Sequence, residues 1–512
     1  MKQVLLKISK NKILKSSAGL LMITLFVKIF GYVEKLVLAN YYGTSYKVDV
    51  YTVILTLVLS LFFFFREIVE PGFLNVFLEA RSKGDEATAW GLFNKGVRII
   101  LVITITISII AFFIPSCIIN IFAPGFDGVK FMLSVKLVKI AISASIFLAL
   151  STLTNITLNG LKIFVLPASG ELAFKGLIIV SMFFFYKEYG VLGAIIGIVI
   201  GSLGRLGVHL IKLYKRISFK KITIDSHYKK KFWLLTWPLL IGVSFSQISG
   251  LVDNIFASYL QEGAIAALSY AKKVVELPVV IFPYVLSIVV FPYFTQLKAE
   301  KQSEKLAGLL ASLLKWITVS FLPIAAFLFI FANSLIEIIF QRGAFNAQST
   351  LLTSQPLMIY SLGLVFFAIE TILVIFYYAN ADTKTPVFVG IGCVMLHVLL
   401  TWLFISYMGY IGIALAYVMQ KVIKNLILLY HVKHKISYTP KILLVFLFKL
   451  FVAIGSFIAL VLLLKTYLFD AFGQSLISKL GVMAISSMVG LAAYLFILKW
   501  MNVFYTKDIV AA

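Results

Sequence analysis

Apolar runs of eighteen or more residues recur along this chain from Ser17 to Val503, and that recurrence leaves few folds open. As a helix rising 1.5 Å per residue, each run is long enough to cross a hydrocarbon core of about 30 Å. In that solvent only helices and closed barrels satisfy their own backbone. Composition agrees: 61% of the 512 residues are hydrophobic and 13% charged, with a mean hydropathy of +1.02, outside the range of water-soluble domains. The reading is an all-α polytopic membrane protein of about fourteen transmembrane helices. They are expected near residues 17–42, 48–80, 90–117, 132–159, 163–186, 189–214, 232–258, 265–297, 305–340, 350–379, 385–407, 410–432, 441–466 and 475–500, here called spans 1 to 14. The basic start, with Lys2, Lys7, Lys10, Lys12 and Lys15, precedes an apolar stretch that lacks a small-residue cleavage site, so it reads as the flank of a retained span. Cys117 and Cys393 lie in separate runs and indicate no disulfide framework.

Basic residues alternate between the two sides of this layout. One side collects Lys2 to Lys15, Arg81, Lys83, the run from Lys212 to Lys231, Lys298, Lys301, Lys305, Lys384, Lys433, Lys435, Lys441 and Lys507. The other offers little beyond Lys47, Lys130, Lys187, Arg342 and Lys465. The positive-inside rule then places both termini in the cytoplasm. The net charge of +25 is spread over these helix ends, where it meets anionic lipid headgroups, so membrane lipids rather than nucleic acid are the expected partners.

Three parts of the chain match another part at one common spacing of 219 residues. Gly31 and Glu34 correspond to Gly250 and Asp253; Pro167 corresponds to Pro386; Gly190, Gly193 and Arg205 correspond to Gly409, Gly412 and Lys424. A repeat of six spans enters the membrane twice from the same side, giving two parallel six-helix lobes, 1–218 and 219–436, with spans 13 and 14 in a remainder, 437–512. Two such lobes can rock about a central cavity and expose it to each side in turn.

Ionisable groups are costly at bilayer depth unless they face a wet cavity or a partner, so their positions carry information. Span 1 holds Lys28, Glu34 and Lys35; span 2 holds Asp49, Arg66, Glu67 and Glu70; span 8 holds Lys272, Lys273 and Glu276. A cavity shared by these cations suits an anionic, phosphorylated substrate. Lys28 and Glu34 are six residues apart and off one helical face, whereas Lys272 and Glu276 can pair at i, i+4, leaving Lys273 the freer cation. Lys95, Arg98, Lys136, Lys139 and Lys175 are expected to snorkel toward an interface. His209, His397 and Glu370 read as isolated, and Phe62 to Phe65 as lipid- or core-facing surface. No metal-ligand spacing or catalytic dyad is present in this pattern.

Several stretches resemble the MurJ (MviN) family of lipid II flippases, within the multidrug/oligosaccharidyl-lipid/polysaccharide exporter superfamily. Lys28-Ile-Phe-Gly31-Tyr32, Tyr42-Gly43 and Asp49-Val50-Tyr51 are similar to its R-x-L-G-F … F-G … D-A-F pattern. Tyr270-Ala271-Lys272-Lys273 with Pro278 is similar to Y-A-D-R … P, Arg342-Gly343-Ala344-Phe345 to R-G-A-F, and Asp382-Thr383-Lys384-Thr385-Pro386-Val387 to D-T-K-T-P-V. The resemblance implies a flippase that turns a polyprenyl-diphosphate-linked saccharide, first of all lipid II, from the cytoplasmic to the outer leaflet of the bacterial inner membrane by alternating access. Spans 13 and 14 would then form a groove for the lipid tail. It also implies substrate-binding roles for Lys28 and Lys273, which stand where the family has cavity arginines, and for Asp49 and Glu276 at matching acidic positions, while Lys272 is a substrate-binding candidate from its charge alone. The chain departs from the pattern in two places. Glu34 stands where the family has a second arginine, and Val58-Leu59-Ser60-Leu61-Phe62-Phe63 replaces P-N-x-x-R-R, with Arg66 about one turn further on as candidate replacement.

The expectation is therefore a transporter acting as a monomer, with no cofactor and no metal. Glu34 and Asp253 are candidate coupling residues, with Na+, H+ or the membrane potential as driving force. Competing readings are a flippase for an exopolysaccharide or O-antigen type glycan and a drug/cation antiporter of the same superfamily, which would work without spans 13 and 14. A membrane enzyme would need a positioned base or metal site that the sequence does not show.

Overall fold

The computed structural model describes residues 12–218, 225–432, 440–472 and 475–503, with side chains from residue 23 onward except at 238–250, at 440–443 and at a few other positions. Lys2, Lys7, Lys10, Lys220, Lys221, Lys433, Lys435 and Lys507, which entered the orientation argument, lie outside the described residues, as do the side chains of Lys12 and Lys15. The described residues are almost wholly helical. Nine helices are long and apolar enough to cross a membrane, and up to eleven if each of two bent pairs is one span. The expected fourteen are not reached on that measure. Span 8 shows one reason: a π turn at Val280–Tyr284 divides it into helices of 16 and 15 residues, with Pro278, Pro283 and Pro292 withholding backbone donors along the way.

The chain forms two compact units, residues 1–266 with 342–345, and residues 267–341 with 346–512. The first contains α1 (Lys12–Tyr42), α2 (Tyr46–Ser82), α3 (Glu86–Phe113), α4 (Pro115–Phe122), α5 (Gly128–Ala141), α6 (Ala144–Gly160), α7 (Val165–Tyr189), α8 (Val191–Leu213) and α9 (Ser226–Ala257). Its core joins α2, α3 and α6 through Phe73, Phe77, Phe93 and Leu153. The second unit begins within α10 (Ala264–Val279) and continues through α11 (Val285–Ala299), α12 (Ser303–Ile330), α13 (Ala332–Phe340), α14 (Ala347–Leu362), α15 (Leu364–Ala379), α16 (Lys384–Met408), α17 (Tyr410–Val432), α18 (Pro440–Phe472) and α19 (Leu476–Trp500). Here α18 and α19 pack closely at Gly490, where an added Cβ would meet Val461 at 2.6 Å. Tyr494 ties α19 to α12 by donating to the Val319 carbonyl over 2.8 Å.

Several irregularities recur at the 219-residue spacing. The α5–α6 pair bends by 44° and the α14–α15 pair by 51°. A serine hydroxyl bonds back to the preceding turn near each break, Ser143 to Ile140 and, one residue off the repeat spacing, Ser361 to Met358, a contact that loosens the helix ladder. Lys162 and Ala381 share a positive φ, and so do Gly190 and Gly409, which join α7 to α8 and α16 to α17. Three residues beyond these joints, a Cβ on Gly193 would strike Phe185 and one on Gly412 would strike Phe404. The repeated glycines are therefore sites of close helix approach as well as tight reversal.

The Arg342-Gly343-Ala344-Phe345 motif has a local physical cause. The Ala344 amide donates to the Asn40 carbonyl over 2.8 Å at the end of α1. Gly43 and Gly343 both have positive φ, and a Cβ on either would fall within van der Waals radii of the other segment's backbone carbonyl. Gly343→Ala combines a left-handed backbone cost of about 1–2 kcal/mol with that clash. It is expected to lower the thermal midpoint of the purified protein, with no such fall in Gly207→Ala, where φ is not positive and an added Cβ meets nothing within 4 Å.

Candidate functional site

The first unit gathers its charges around α1, α2 and α7. Glu34 is buried; its carboxylate accepts from Lys175 Nζ at 2.6 Å and from the Tyr51 hydroxyl at 2.9 Å. Lys175 is thus a paired cation within the helices, contrary to its expected snorkelling. The reversed charge at Glu34 is neutralised locally, leaving Lys28 exposed on α1 with no ion-pair partner among the described residues. Asp49 does different work. Its buried carboxylate accepts from the Gly263 and Ala266 amides, at 2.8 and 2.9 Å, and from Lys130 at 3.3 Å. This caps the start of α10, so the residue holds backbone in place. Asp253 is half-buried near the end of α9.

Arg66, the candidate replacement for the lost arginines, has a side chain 55% exposed and lies 3.5 Å from Glu70. A deeper cation sits nearby in Arg205, which pairs with Glu171 at 2.5 Å and lies over the Phe62 ring, 4.5 Å from its centroid. The phenylalanine run divides: Phe62 and Phe65 are buried, Phe63 is exposed, and Phe64 lines a cavity. His209 bonds Thr154 at 2.9 Å and His397 packs on Tyr417, so neither histidine is isolated.

The second unit contains a cavity of about 410 Å³ lined by Lys272, Glu276, Tyr360, Glu370, Tyr417 and Lys421 among others. Its floor is an ion cluster that the sequence did not reveal. Glu370 is held between Lys421 at 2.8 Å and Lys424 at 2.6 Å, correcting its reading as an isolated acid. Lys272 lies over the Tyr417 ring at 4.0 Å and lines the cavity with Glu276, and Lys273 also lies 3.8 Å from that glutamate. With Lys272, Lys273, Lys421 and Lys424 set against Glu276 and Glu370, the cluster retains positive charge after its ion pairs are made, which suits phosphate oxygens. Among the described residues no group of three or more His, Cys, Asp or Glu is placed to hold a metal.

A family-wide sequence model for the lipid II flippase MurJ matches residues 38–483. The chain belongs to the lipid II flippase MurJ family. Relatives include a probable lipid II flippase MurJ of Buchnera aphidicola subsp. Schizaphis graminum, 27% identical over 95% of this chain and 97% of its own. Another, from Vibrio cholerae, is 26% identical over 83% of each chain. A solved structure of lipid II flippase MurJ in an inward closed conformation superposes with a TM-score of 0.79 at 26% identity, covering 95% of this chain and 98% of that one. An inward-facing multidrug resistance MATE family transporter of the MOP superfamily shares the fold at a TM-score of 0.70 and 12% identity, over 80% of this chain and 94% of its own.

The buried pair in the first unit gives a direct test. Removing one partner of such a pair leaves an uncompensated charge and typically costs about 3–5 kcal/mol, whereas replacing both can be neutral. Lys175→Met is expected to lower the thermal midpoint sharply, and Lys175→Met with Glu34→Leu to recover most of the loss. A double variant no better than the single one would show the pair to be uncoupled.

Proposed function

We propose that this protein turns lipid II from the cytoplasmic to the outer leaflet of the bacterial inner membrane, as a transporter rather than an enzyme. The observation that carries the reading is the family match over residues 38–483, supported by likeness to a MurJ structure along nearly the whole chain. The cationic lining at Lys272 and Lys421 supports a path for the diphosphate. Likeness to MATE transporters is a likeness of fold and lends no weight to drug export.

In this reading the chain works as two six-helix lobes, 1–218 and 219–436, with fourteen spans and both termini in the cytoplasm. Residues 437–512 supply the tail groove. Exposed Leu444, Phe448 and Phe451 on α18 offer apolar surface for it, while Tyr494 anchors the hairpin. Lys28 and Arg66 in the first unit, and Lys272, Lys273 and Glu276 in the second, are the substrate-binding candidates; Asp49 acts by fixing the first turn of α10. The Glu34–Lys175 pair and Asp253 are the candidate coupling groups, and the working unit is a monomer.

Depletion of the protein is expected to trap lipid II in the cytoplasmic leaflet. Normal lipid II turnover, with another polyprenyl-linked saccharide trapped instead, would overturn the assignment. Lys272→Ala is expected to cut the flipping rate about tenfold or more, equivalent to about 1.4 kcal/mol of lost interaction, at normal membrane insertion. A near-normal rate would remove the second unit's cavity from the substrate path.

A further inference from the structure

A second cavity, of about 380 Å³, lies wholly within the first unit, between α2, α3, α6 and α9. It is long and chemically graded. Its lining runs on α2 from Leu61 to Val76 and on α3 from Leu92 to Ile107, about 22 Å along each axis at 1.5 Å per residue. On α3, Lys95, Ile99, Ile103 and Ile107 recur at i, i+4 and so form one stripe, with the cation toward the α2–α3 turn and only isoleucine below it. At the same end the first turn of α9 contributes Tyr228 and Lys229, and Thr236 follows two turns deeper, beside Gly72 of α2. At the opposite end the described lining is Leu61, Phe64 and Ile107, none of them polar.

The polar end is distinguished by what its neighbours leave over. At this rim Glu79 accepts from Lys83 at 2.7 Å and Lys231 at 2.6 Å, and Glu86 accepts from Arg81 and Trp90. The carboxylates there are engaged. Lys95 and Lys229 have no ion-pair or hydrogen-bond partner among the described residues. Thr236, 1% exposed, has a buried hydroxyl that likewise finds no hydrogen-bond partner among them. Two ammonium groups, one of them with only the exposed Asp225 carboxylate near it, thus crown an apolar slot, and the unsatisfied hydroxyl lies deeper in its wall. Such a collar leaves its groups for an outside anion.

We propose that this slot is a binding site for one anionic phospholipid of the leaflet that borders the α2–α3 turn, its phosphodiester between Lys95 and Lys229 and one acyl chain along the isoleucine stripe. The slot's length exceeds the roughly 15 Å of one leaflet's hydrocarbon by about one headgroup layer, which fits a lipid of a single leaflet. Basic pockets between transmembrane helices are the usual recognition element for such headgroups. Exposed Trp233 beside the collar is the kind of residue that sits at headgroup level. The bound lipid packs between α2 and α9, so it braces those two helices. The site shares no lining residue with the cavity of the second unit and is independent of which saccharide is transported.

The test is native mass spectrometry of the purified full chain titrated with phosphatidylglycerol, phosphatidylethanolamine or farnesyl diphosphate. Phosphatidylglycerol is expected to bind on the order of tenfold more tightly than phosphatidylethanolamine, as two lysines each worth a few-fold at an anionic lipid surface imply. Lys95→Ala with Lys229→Ala should erase that preference, the corresponding double arginine variant should keep it, and Ile103→Trp should block the chain and lower phosphatidylglycerol binding with both lysines intact. Equal retention of the two phospholipids, a preference that survives the double alanine variant, or unimpaired binding in Ile103→Trp would overturn the proposal. Displacement of phosphatidylglycerol by equimolar farnesyl diphosphate would also overturn it, assigning the slot to a prenyl diphosphate.

Discussion

A charge inside a bilayer has no water to turn to, and that constraint organises this molecule more than any single contact. Carboxylates within the helices are matched to cations: Glu34 with Lys175, Glu171 with Arg205, Glu370 with Lys421 and Lys424, and Glu337 with Lys479. Once these pairs are made, the surplus is positive, at Lys28 in one unit and in the other through the excess of lysines over glutamates around the cavity. A transporter of a diphosphate needs such a surplus, since its cargo brings the compensating charge only while bound. The chain thereby satisfies two demands with one set of residues. Paired charges hold helices together, and unmatched ones define where an anion can rest.

Backbone geometry carries a second, independent record. The bends of α5–α6 and α14–α15, the positive φ at Lys162 and Ala381, and the reversals at Gly190 and Gly409 all fall at one spacing. Helix periodicity alone does not require a helix to break at any given depth. That both copies break at matching places gives the sequence repeat a structural counterpart that extends beyond the residues still alike.

The membrane class and the family were legible in the sequence because each rests on a pattern along the chain: long apolar runs, and short strings such as Asp382 to Val387. Partnerships across the chain were not. Lys175 lies 141 residues from Glu34, and Lys424 lies 54 from Glu370, so no local spacing signals either pair. The depth of Glu370 within an apolar run was the available clue, and it argued for a buried partner even with none nearby in sequence. For Lys272 and Lys273 the i, i+4 argument took no account of Tyr417, far along the chain, over whose ring Lys272 lies at 4.0 Å. Asp49 read as a cavity acid because its motif is shared, yet its geometry is that of a helix cap. The count of fourteen spans depended on treating each apolar run as one rod, which the π turn at Val280–Tyr284 does not respect.

The Glu34–Lys175 pair also limits the routes by which such a sequence can change. A lysine arriving first has a long aliphatic stem with which to reach the headgroups and wait there at little cost. A glutamate arriving first at a position as enclosed as Glu34 has a shorter stem and no cation to meet. Mutational paths into this arrangement therefore run more cheaply through the cation than through the acid, and paths out of it must surrender the acid before the lysine. An inherited polarity at this position is in effect a ratchet: once the pair exists, restoring an arginine at residue 34 sets two buried cations against each other until residue 175 changes as well.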